Sequence, residues 1–172
     1  LGRMYVPEKQ LFAFRLRRAA DGDTEVPEGT SRRYTATVLI GLAGEDQATR
    51  AAVLGLHSPE DVCGRLISDV KTSRELGEAA LTAWAARTLR HPRADEAIET
   101  LRRKDPAGGT YPTVELSWAM TALVAEGGEV SDMGLARRLA ELLMDSFRPD
   151  SGLFPHSPFT KSLPSFRAHV SC

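Results

Sequence analysis

The side chains best suited to proton transfer are those of Glu115 and His156. Glu115 lies in the apolar stretch TVELSWAMTALV, with Trp118 three residues further on. A carboxyl group held against apolar surface resists ionisation and can act as a general acid or base. His156, which follows Pro155, can exchange a proton near neutral pH. Two structural alternatives stay open: Glu115 as a first-turn acid that favours the helix dipole, and His156 as a loop residue bonded to the backbone.

Two consecutive arginines precede a tyrosine in SRRYTATVLIGLAG. The planar guanidinium groups of Arg32 and Arg33 match a carboxylate or phosphate, and Tyr34 lies beside them. The alternative is structural, with one arginine paired to Glu28 or Glu75. The sequence alone does not separate these two roles.

Three aromatic residues in helical or pre-helical stretches could stack on a sugar ring. They are Tyr111, Trp84 and Trp118. Aromatic residues in apolar helices also serve as core residues, so this alternative remains open. The remaining histidines show no HxxxH-type spacing, and we therefore expect neither a metal nor a cofactor.

The charge balance argues against binding to polyanions. The 172 residues contain 22 Lys and Arg against 23 Asp and Glu, so we expect no nucleic acid and no membrane as partner. The two cysteines, Cys63 and Cys172, are too few and too far apart for a disulfide framework. With no signal-peptide pattern and no long apolar run, the sequence predicts a cytoplasmic protein.

The hydrophobic pattern predicts an all-α fold in which two kinds of helix alternate. One kind is apolar nearly all round and is expected to be buried, whereas the other has a single apolar stripe and a charged face. The buried kind recurs about every 40 residues, which is typical of a repeated helix hairpin. The predicted inner helices are 31–43, 74–89 and 113–126, and the predicted outer helices are 59–71, 93–103 and 132–147.

Residues 1–30 are predicted to form an N-terminal extension or hairpin. Phe12, Phe14 and Leu16 alternate as in a half-buried strand, and the DGD sequence at 21–23 is typical of a hairpin turn. A helix over 8–20 is the alternative. Residues 31–172 are predicted to hold the helical repeats.

One unusual turn occurs twice. DPAGGTYP begins at residue 105 and RPDSGLFP begins 43 residues later, and both follow the pattern Pro-x-x-Gly-x-aromatic-Pro. Gly109 and Gly152 are predicted to adopt positive φ at a tight reversal, and the following prolines fix the approach to an inner helix. Tyr111 and Phe154 are expected to wedge between neighbouring hairpins.

These Gly-x-aromatic turns, together with EGTSRRYTATVLIGL and TVELSWAMTALV, resemble those of α/α-toroid proteins over roughly residues 28 to 165. This group includes six-hairpin glycosidase-like enzymes and the terpenoid cyclases and prenyltransferases. A closed toroid needs more hairpins than the roughly three and a half found here. The resemblance therefore implies an incomplete ring in a chain truncated at its C-terminus.

The resemblance also implies a site, at the end of the ring where the inner helices begin. There it assigns substrate binding to Arg32, Arg33, Tyr34, Tyr111 and Trp118, and catalysis to Glu78, Glu115 and His156. Glycoside hydrolysis requires two carboxyl groups about 5–10 Å apart, and Glu78 with Glu115 is the inner-helix pair available for this role.

Three functions follow from these expectations. The first is a carbohydrate-related protein with glycosidase or sugar epimerase-like activity, whose partner is a small molecule. The first alternative is a non-catalytic helical-repeat scaffold that binds a protein partner. The second alternative is a terpenoid cyclase-like protein, against which stand the lack of an acidic DxDD cluster and an aromatic content of only 6%.

Overall fold

The computed structural model describes residues 1–20, 22–126 and 130–159. Helices dominate these residues, and a short strand region precedes them. The helices are α1 (Arg32–Leu42), α2 (Gln47–Leu54), α3 (Pro59–Val70), α4 (Leu76–Thr88), α5 (Ala94–Arg103), α6 (Thr113–Val124) and α7 (Val130–Ser146). The prediction of a mostly helical chain is confirmed.

Local sequence explains where helix α3 begins and why helix α4 can be buried. The hydroxyl of Ser58 accepts a hydrogen bond from the amide of Asp61, and the Asp61 carboxylate accepts one from the amide of Ser58. This reciprocal cap, with Pro59 in the first turn, starts α3 where the sequence predicts it. In α4 most side chains are small, and nearly the whole circumference of the helix is buried.

The helices α1, α4 and α6 lie side by side with their N-termini at the same end. At that end Arg33 of α1 contacts Glu115 of α6, and at the other end Arg87 of α4 donates to the carbonyl oxygen of Leu123. The central helix, α4, packs against both α1 and α6. The striped helices α3 and α5 pack against α4, and α7 packs against α6. The predicted division into inner and outer helices is confirmed only in part. Helix α4 is buried nearly all round, whereas α1 and α6 each have an exposed face, where Tyr34 is 57% and Val124 is 50% exposed.

The core lies mainly between these two sets of helices. Its largest fully buried side chains come from the inner helices, from the apolar stripes of the outer ones and from the N-terminal region. They include Phe12, Leu39, Leu66, Ile67, Leu76, Ile98, Leu101, Leu116, Leu123 and Leu139.

The N-terminal region contains two antiparallel strand pairs. Strands β1 (Tyr5–Val6) and β2 (Leu11–Phe12) form one, and β3 (Arg15–Arg18) and β4 (Glu25–Glu28) form the other. The predicted strand and its pairing in a hairpin are confirmed, and the helical alternative for 8–20 is wrong. Asp21, the first residue of the predicted DGD turn, lies outside the described residues. The first thirty residues also pack on the helices, since β2 contacts α1. The hydroxyl of Tyr5 in addition lies 2.9 Å from Nδ1 of His57, in the loop between α2 and α3.

The predicted common face of Phe12, Phe14 and Leu16 is wrong in part. Phe12 is buried, but 46% of Phe14 is exposed. The strand is interrupted between these two residues, so the period-two alternation does not continue from β2 into β3. The Phe14 ring instead lies against Gly29, where a Cβ atom would overlap it.

The two related turns share their hydrogen bonds but not their dihedral angles. In the first, the amides of Gly108 and Gly109 donate to the carbonyl oxygen of Asp105. In the second, the amides at the equivalent positions, Ser151 and Gly152, donate to the carbonyl of Arg148. The hydrogen-bond pattern thus repeats at the 43-residue offset seen in the sequence.

Positive φ was predicted for both Gly109 and Gly152, and only Gly152 has it, at 69°. In the first turn the left-handed residue is Asp105, with φ of 47°. Asp105 follows the end of α5, so the reversal is made at the helix terminus and Gly109 does not need a left-handed conformation.

Two further details differ from the sequence prediction. Helix α2 was not predicted, because its apolar stripe is short. In the structure only Leu54 of this helix is buried. Its start is nevertheless marked by Asp46, whose side chain accepts a hydrogen bond from the amide of Thr49. The predicted first inner helix, 31–43, is also one residue shorter at its end, since α1 ends at Leu42 with Ala43 in the cap position.

Among the residues described, no helix combines the length and the apolar character that crossing a lipid bilayer requires.

Candidate functional site

The N-termini of the three inner helices bring several predicted site residues together. Nη2 of Arg33, at the start of α1, lies 2.6 Å from Oε1 of Glu115 in α6 and 3.0 Å from Oε2 of Glu75 at the start of α4. One guanidinium group therefore connects three helices that are far apart in sequence. The predicted role of Arg33 as a pairing partner of Glu75 is confirmed, whereas Glu28 pairs with Arg15.

Glu115 is 7% exposed, and both of its oxygens are engaged. Oε1 accepts from Arg33, and Oε2 accepts from the backbone amide of Gly77 at 3.0 Å. The amide of Gly77 belongs to the first turn of α4, where backbone amides have no partner within the helix. The carboxylate of Glu115 thus caps the neighbouring helix α4.

Gly77 permits this close approach. A Cβ atom at this position would lie 2.9 Å from Cζ of Arg33 and 3.1 Å from Cδ of Glu115. These distances are shorter than ordinary van der Waals contacts. Gly77 is therefore part of the site, although its position in an alanine-rich helix gave no indication of this in the sequence.

A second ion pair lies beside the first. Nη1 of Arg32 lies 3.3 Å from Oε2 of Glu78, and its Nε lies 3.9 Å from Asp69 of α3. The Nε atom of Arg32 is buried and has no hydrogen-bond partner within the described part of the chain. Glu78 and Glu115, the predicted carboxyl pair, thus both lie at the N-terminal end of α4, each bonded to an arginine of α1.

These groups border a recess of about 460 Å³, which we call the mouth recess. Its walls come from the start of α1, the start of α4 and the N-terminal strands. They are formed by Leu11, Thr30, Ser31, Arg32, Arg33, Glu75 and Glu78. Glu115 contacts one of these lining residues, Arg33, from behind.

Charge restricts what the mouth recess can bind. Two arginines lie among three glutamates, so the cluster carries a net negative charge when all are ionised. Each guanidinium group already contacts at least one carboxylate. The arrangement therefore favours a ligand that both donates and accepts hydrogen bonds over a phosphate or carboxylate ligand.

Trp118 adjoins this cluster. The guanidinium carbon of Arg33 lies 5.9 Å from the centre of its indole ring, within the range of a cation–π contact. Both Trp118 and Trp84 are partly buried and pack against the core. Both tryptophans therefore serve at least in part as core residues, which is the alternative that the sequence left open.

Besides Glu115 and Trp118, three further predicted residues are not among those that line the mouth recess. Tyr34 is 57% exposed, although it lies next to Arg33 in the chain. His156 is exposed, and its carbonyl oxygen accepts from the amide of Thr113 at the start of α6. Tyr111 lines a different recess, and its hydroxyl donates to the carbonyl oxygen of Lys104 at 2.6 Å. Burial, supported by Asp105 and Glu115, raises the pKa of Tyr111.

The described residues contain no group of three His, Cys, Asp or Glu side chains arranged to hold a metal ion. No protein-family model, curated protein or solved structure matches this chain.

Proposed function

We propose that the mouth recess binds a small polyhydroxy molecule of carbohydrate type. The observation on which this rests is the convergence of Arg32, Arg33, Glu75 and Glu78 around one recess, with Glu115 and Trp118 adjoining it. Sugar hydroxyl groups donate to carboxylates and accept from guanidinium groups, and sugar rings stack on indole.

We further propose that this binding serves a glycosidase or sugar epimerase-like reaction. Arg33 and the Gly77 amide both donate to Glu115 and hold its side chain in place beside the recess. Glu115 is the proposed base, which would accept a proton from a sugar carbon or from water. Glu78 is the second carboxyl group, and the exposed His156 at the same end of α6 is the proposed proton donor.

The helical layers support a second proposal, that the chain forms part of an α/α toroid. Three parallel inner helices pack side by side, and their outer partners alternate with them along the chain. The hydrogen bonds repeated in the two related turns support a repeated connection between hairpins.

The binding proposal is tested on the full chain by an NMR titration with glucose, mannose, N-acetylglucosamine, maltose and cellobiose. We expect at least one saccharide to shift the amide signals of Thr30, Ser31 and Gly77 to a saturating value. If none does so, the proposal is wrong.

The reaction is tested separately with a saccharide that binds. Glu78→Gln is expected to abolish its turnover while the amide spectrum stays native. The matched control is Glu141→Gln on α7, which removes an exposed carboxylate paired with Arg137. Unchanged turnover in Glu78→Gln would leave Glu78 a structural residue.

One observation favours the scaffold alternative. An apolar groove of about 630 Å³ lies between α6 and α7, lined mainly by Met120, Val124, Met133, Ala136 and Ala140. Helix α6 packs against both members of the preceding pair, α4 and α5. By analogy with this packing, we propose that the groove binds a helix of a partner protein, and that this helix has an apolar face like that of α6.

This alternative is tested by fluorescence anisotropy with a labelled peptide that has the sequence of residues 113–126. We expect saturable binding that Met133→Glu abolishes. Met144→Glu, on the same helix at a position 65% exposed and outside the groove, is expected to leave binding unchanged. Equal binding by both variants would exclude the groove as the docking site.

A further inference from the structure

A second polar recess, of about 620 Å³, lies beside the loop that joins α3 to α4. We call it the basic recess. One side is formed by Lys71 and Arg74, and the other by a stripe of α5 and the residue after it, with Glu96, Glu99, Arg103 and Lys104. Ser73 and Arg74 line this recess and Glu75 lines the mouth recess, so the two recesses are neighbours.

The two carboxylates in the basic recess are already neutralised. Glu96 accepts from Arg93 at 2.8 Å and also bonds to Lys71, and these contacts lower the pKa of Glu96 to about 2. Glu99 lies 3.0 Å from Arg103 and 3.8 Å from Arg102. Both glutamates are therefore bound to cations of their own.

Two lining cations remain without a carboxylate partner in the described residues. Nζ of Lys104 donates to the carbonyl oxygen of Ser73, which is uncharged. Arg74 is exposed, and its side chain makes neither an ion pair nor a hydrogen bond with the rest of the described chain. Four cations against two carboxylates leave the lining with two surplus positive charges.

The helix dipole accounts for the position of Arg103 but not for the position of Arg74. Arg103 lies in the last turn of α5, where a cation complements the negative end of the helix. Arg74 lies two residues before Leu76, the first residue of α4, at the positive end of that helix. A cation there is disfavoured by the helix and has no anionic partner, so an anion from outside would relieve both conditions.

We propose that the basic recess binds a compact small-molecule anion with at least two negative charges, carried by phosphate or carboxylate groups. The Arg74 guanidinium provides a planar pair of donors and Lys104 a point charge, which together suit such groups. A volume of about 620 Å³ suits a small molecule. This site is distinct from the mouth recess, where two lining glutamates balance the two lining arginines, and it does not depend on the proposed sugar binding.

The proposal is tested by NMR titration of the full chain with pyrophosphate and, separately, with citrate, at constant ionic strength. We expect one of them or both to give saturable shifts at Ser73, Arg74 and Lys104. Pyrophosphate alone would identify a phosphate site, and citrate alone a carboxylate site. The absence of saturable shifts with either would overturn the proposal.

A pair of variants distinguishes a specific site from general attraction. Arg74→Gln removes a side chain without folded-state contacts and is expected to weaken binding about tenfold, as loss of one charge-assisted contact does. Arg138→Gln, on the exposed face of α7 and outside this recess, is expected to leave affinity unchanged. Wild-type affinity in Arg74→Gln, or an equal loss in both variants, would refute the assignment.

Discussion

The substitution Glu115→Gln tests whether one buried carboxylate joins the three inner helices. In the native protein this carboxylate accepts one hydrogen bond from Arg33 and one from the amide of Gly77. Glutamine keeps a single acceptor oxygen, which can retain the bond to Gly77. Its amide group would then face the guanidinium group of Arg33, to which it can only donate.

The expected loss follows from these contacts. A hydrogen bond to a charged group contributes about 1.5–3 kcal/mol, and Glu115 is almost fully buried. We therefore expect Glu115→Gln to lower the free energy of unfolding by about 2–3 kcal/mol, a large part of the 5–15 kcal/mol typical of a whole domain.

Glu75→Gln is a matched control on the same guanidinium group. Glu75 also bonds to Nη2 of Arg33, but its side chain is 62% exposed. Exposed ion pairs contribute about 0–1 kcal/mol, so this variant should be close to the wild type in stability.

Guanidinium chloride unfolding at pH 7, followed by circular dichroism, measures both free energies. If the unfolding free energies of Glu115→Gln and Glu75→Gln differ by less than about 0.5 kcal/mol, burial does not decide the strength of the ion pairs with Arg33, and the reasoning is refuted.

Three other predictions concern the same framework. Gly77→Ala should lower the free energy of unfolding by about 1 kcal/mol, because its Cβ would displace the Arg33 side chain from Glu115. Asp132→Asn should lower it by about 3–5 kcal/mol, because the buried guanidinium of Arg87, 2.5 Å from Asp132, would lose its charge partner. Burial and the nearby Arg93 lower the pKa of His91, so the unfolded chain binds a proton more readily at this residue. The contribution of His91 should therefore reduce stability as the pH falls below about 6.5, and His91→Gln should flatten this part of the stability profile.

Each of these predictions has a control measured by the same denaturant unfolding. Gly41→Ala, at an exposed position of α1 where a Cβ meets no atom within 4 Å, should gain up to about 1 kcal/mol. Glu141→Gln, in an exposed pair, should change stability by less than about 0.5 kcal/mol. The pH profile of His91→Gln is compared with that of the wild-type protein. A loss in Gly41→Ala as large as that in Gly77→Ala would contradict the argument for Gly77. A small effect of Asp132→Asn would contradict the argument for the buried ion pair, and an unchanged pH profile in His91→Gln would contradict the argument for His91.

Local patterns were sufficient for every described helix except α2 and for part of the site. Ser58, Pro59 and Asp61 are adjacent in the chain, so their capping interaction could be predicted from sequence. Arg33 and Glu75 could be proposed as partners, because both lie at predicted starts of inner helices. The sequence did not reveal that Glu115 binds the amide of Gly77, since that contact requires the lateral position of α6 against α4.

The sequence by itself determined the alternation of apolar and striped helices along the chain and the repetition of one turn. Hydrophobic periodicity and the proline and glycine positions are properties of adjacent residues. Only the tertiary structure decided which charges meet. Arg33 and Glu115 are 82 positions apart, and Arg87 and Asp132 are 45 apart. Ion pairs depend on distances of a few ångströms between side chains of different helices, and packing alone sets those distances.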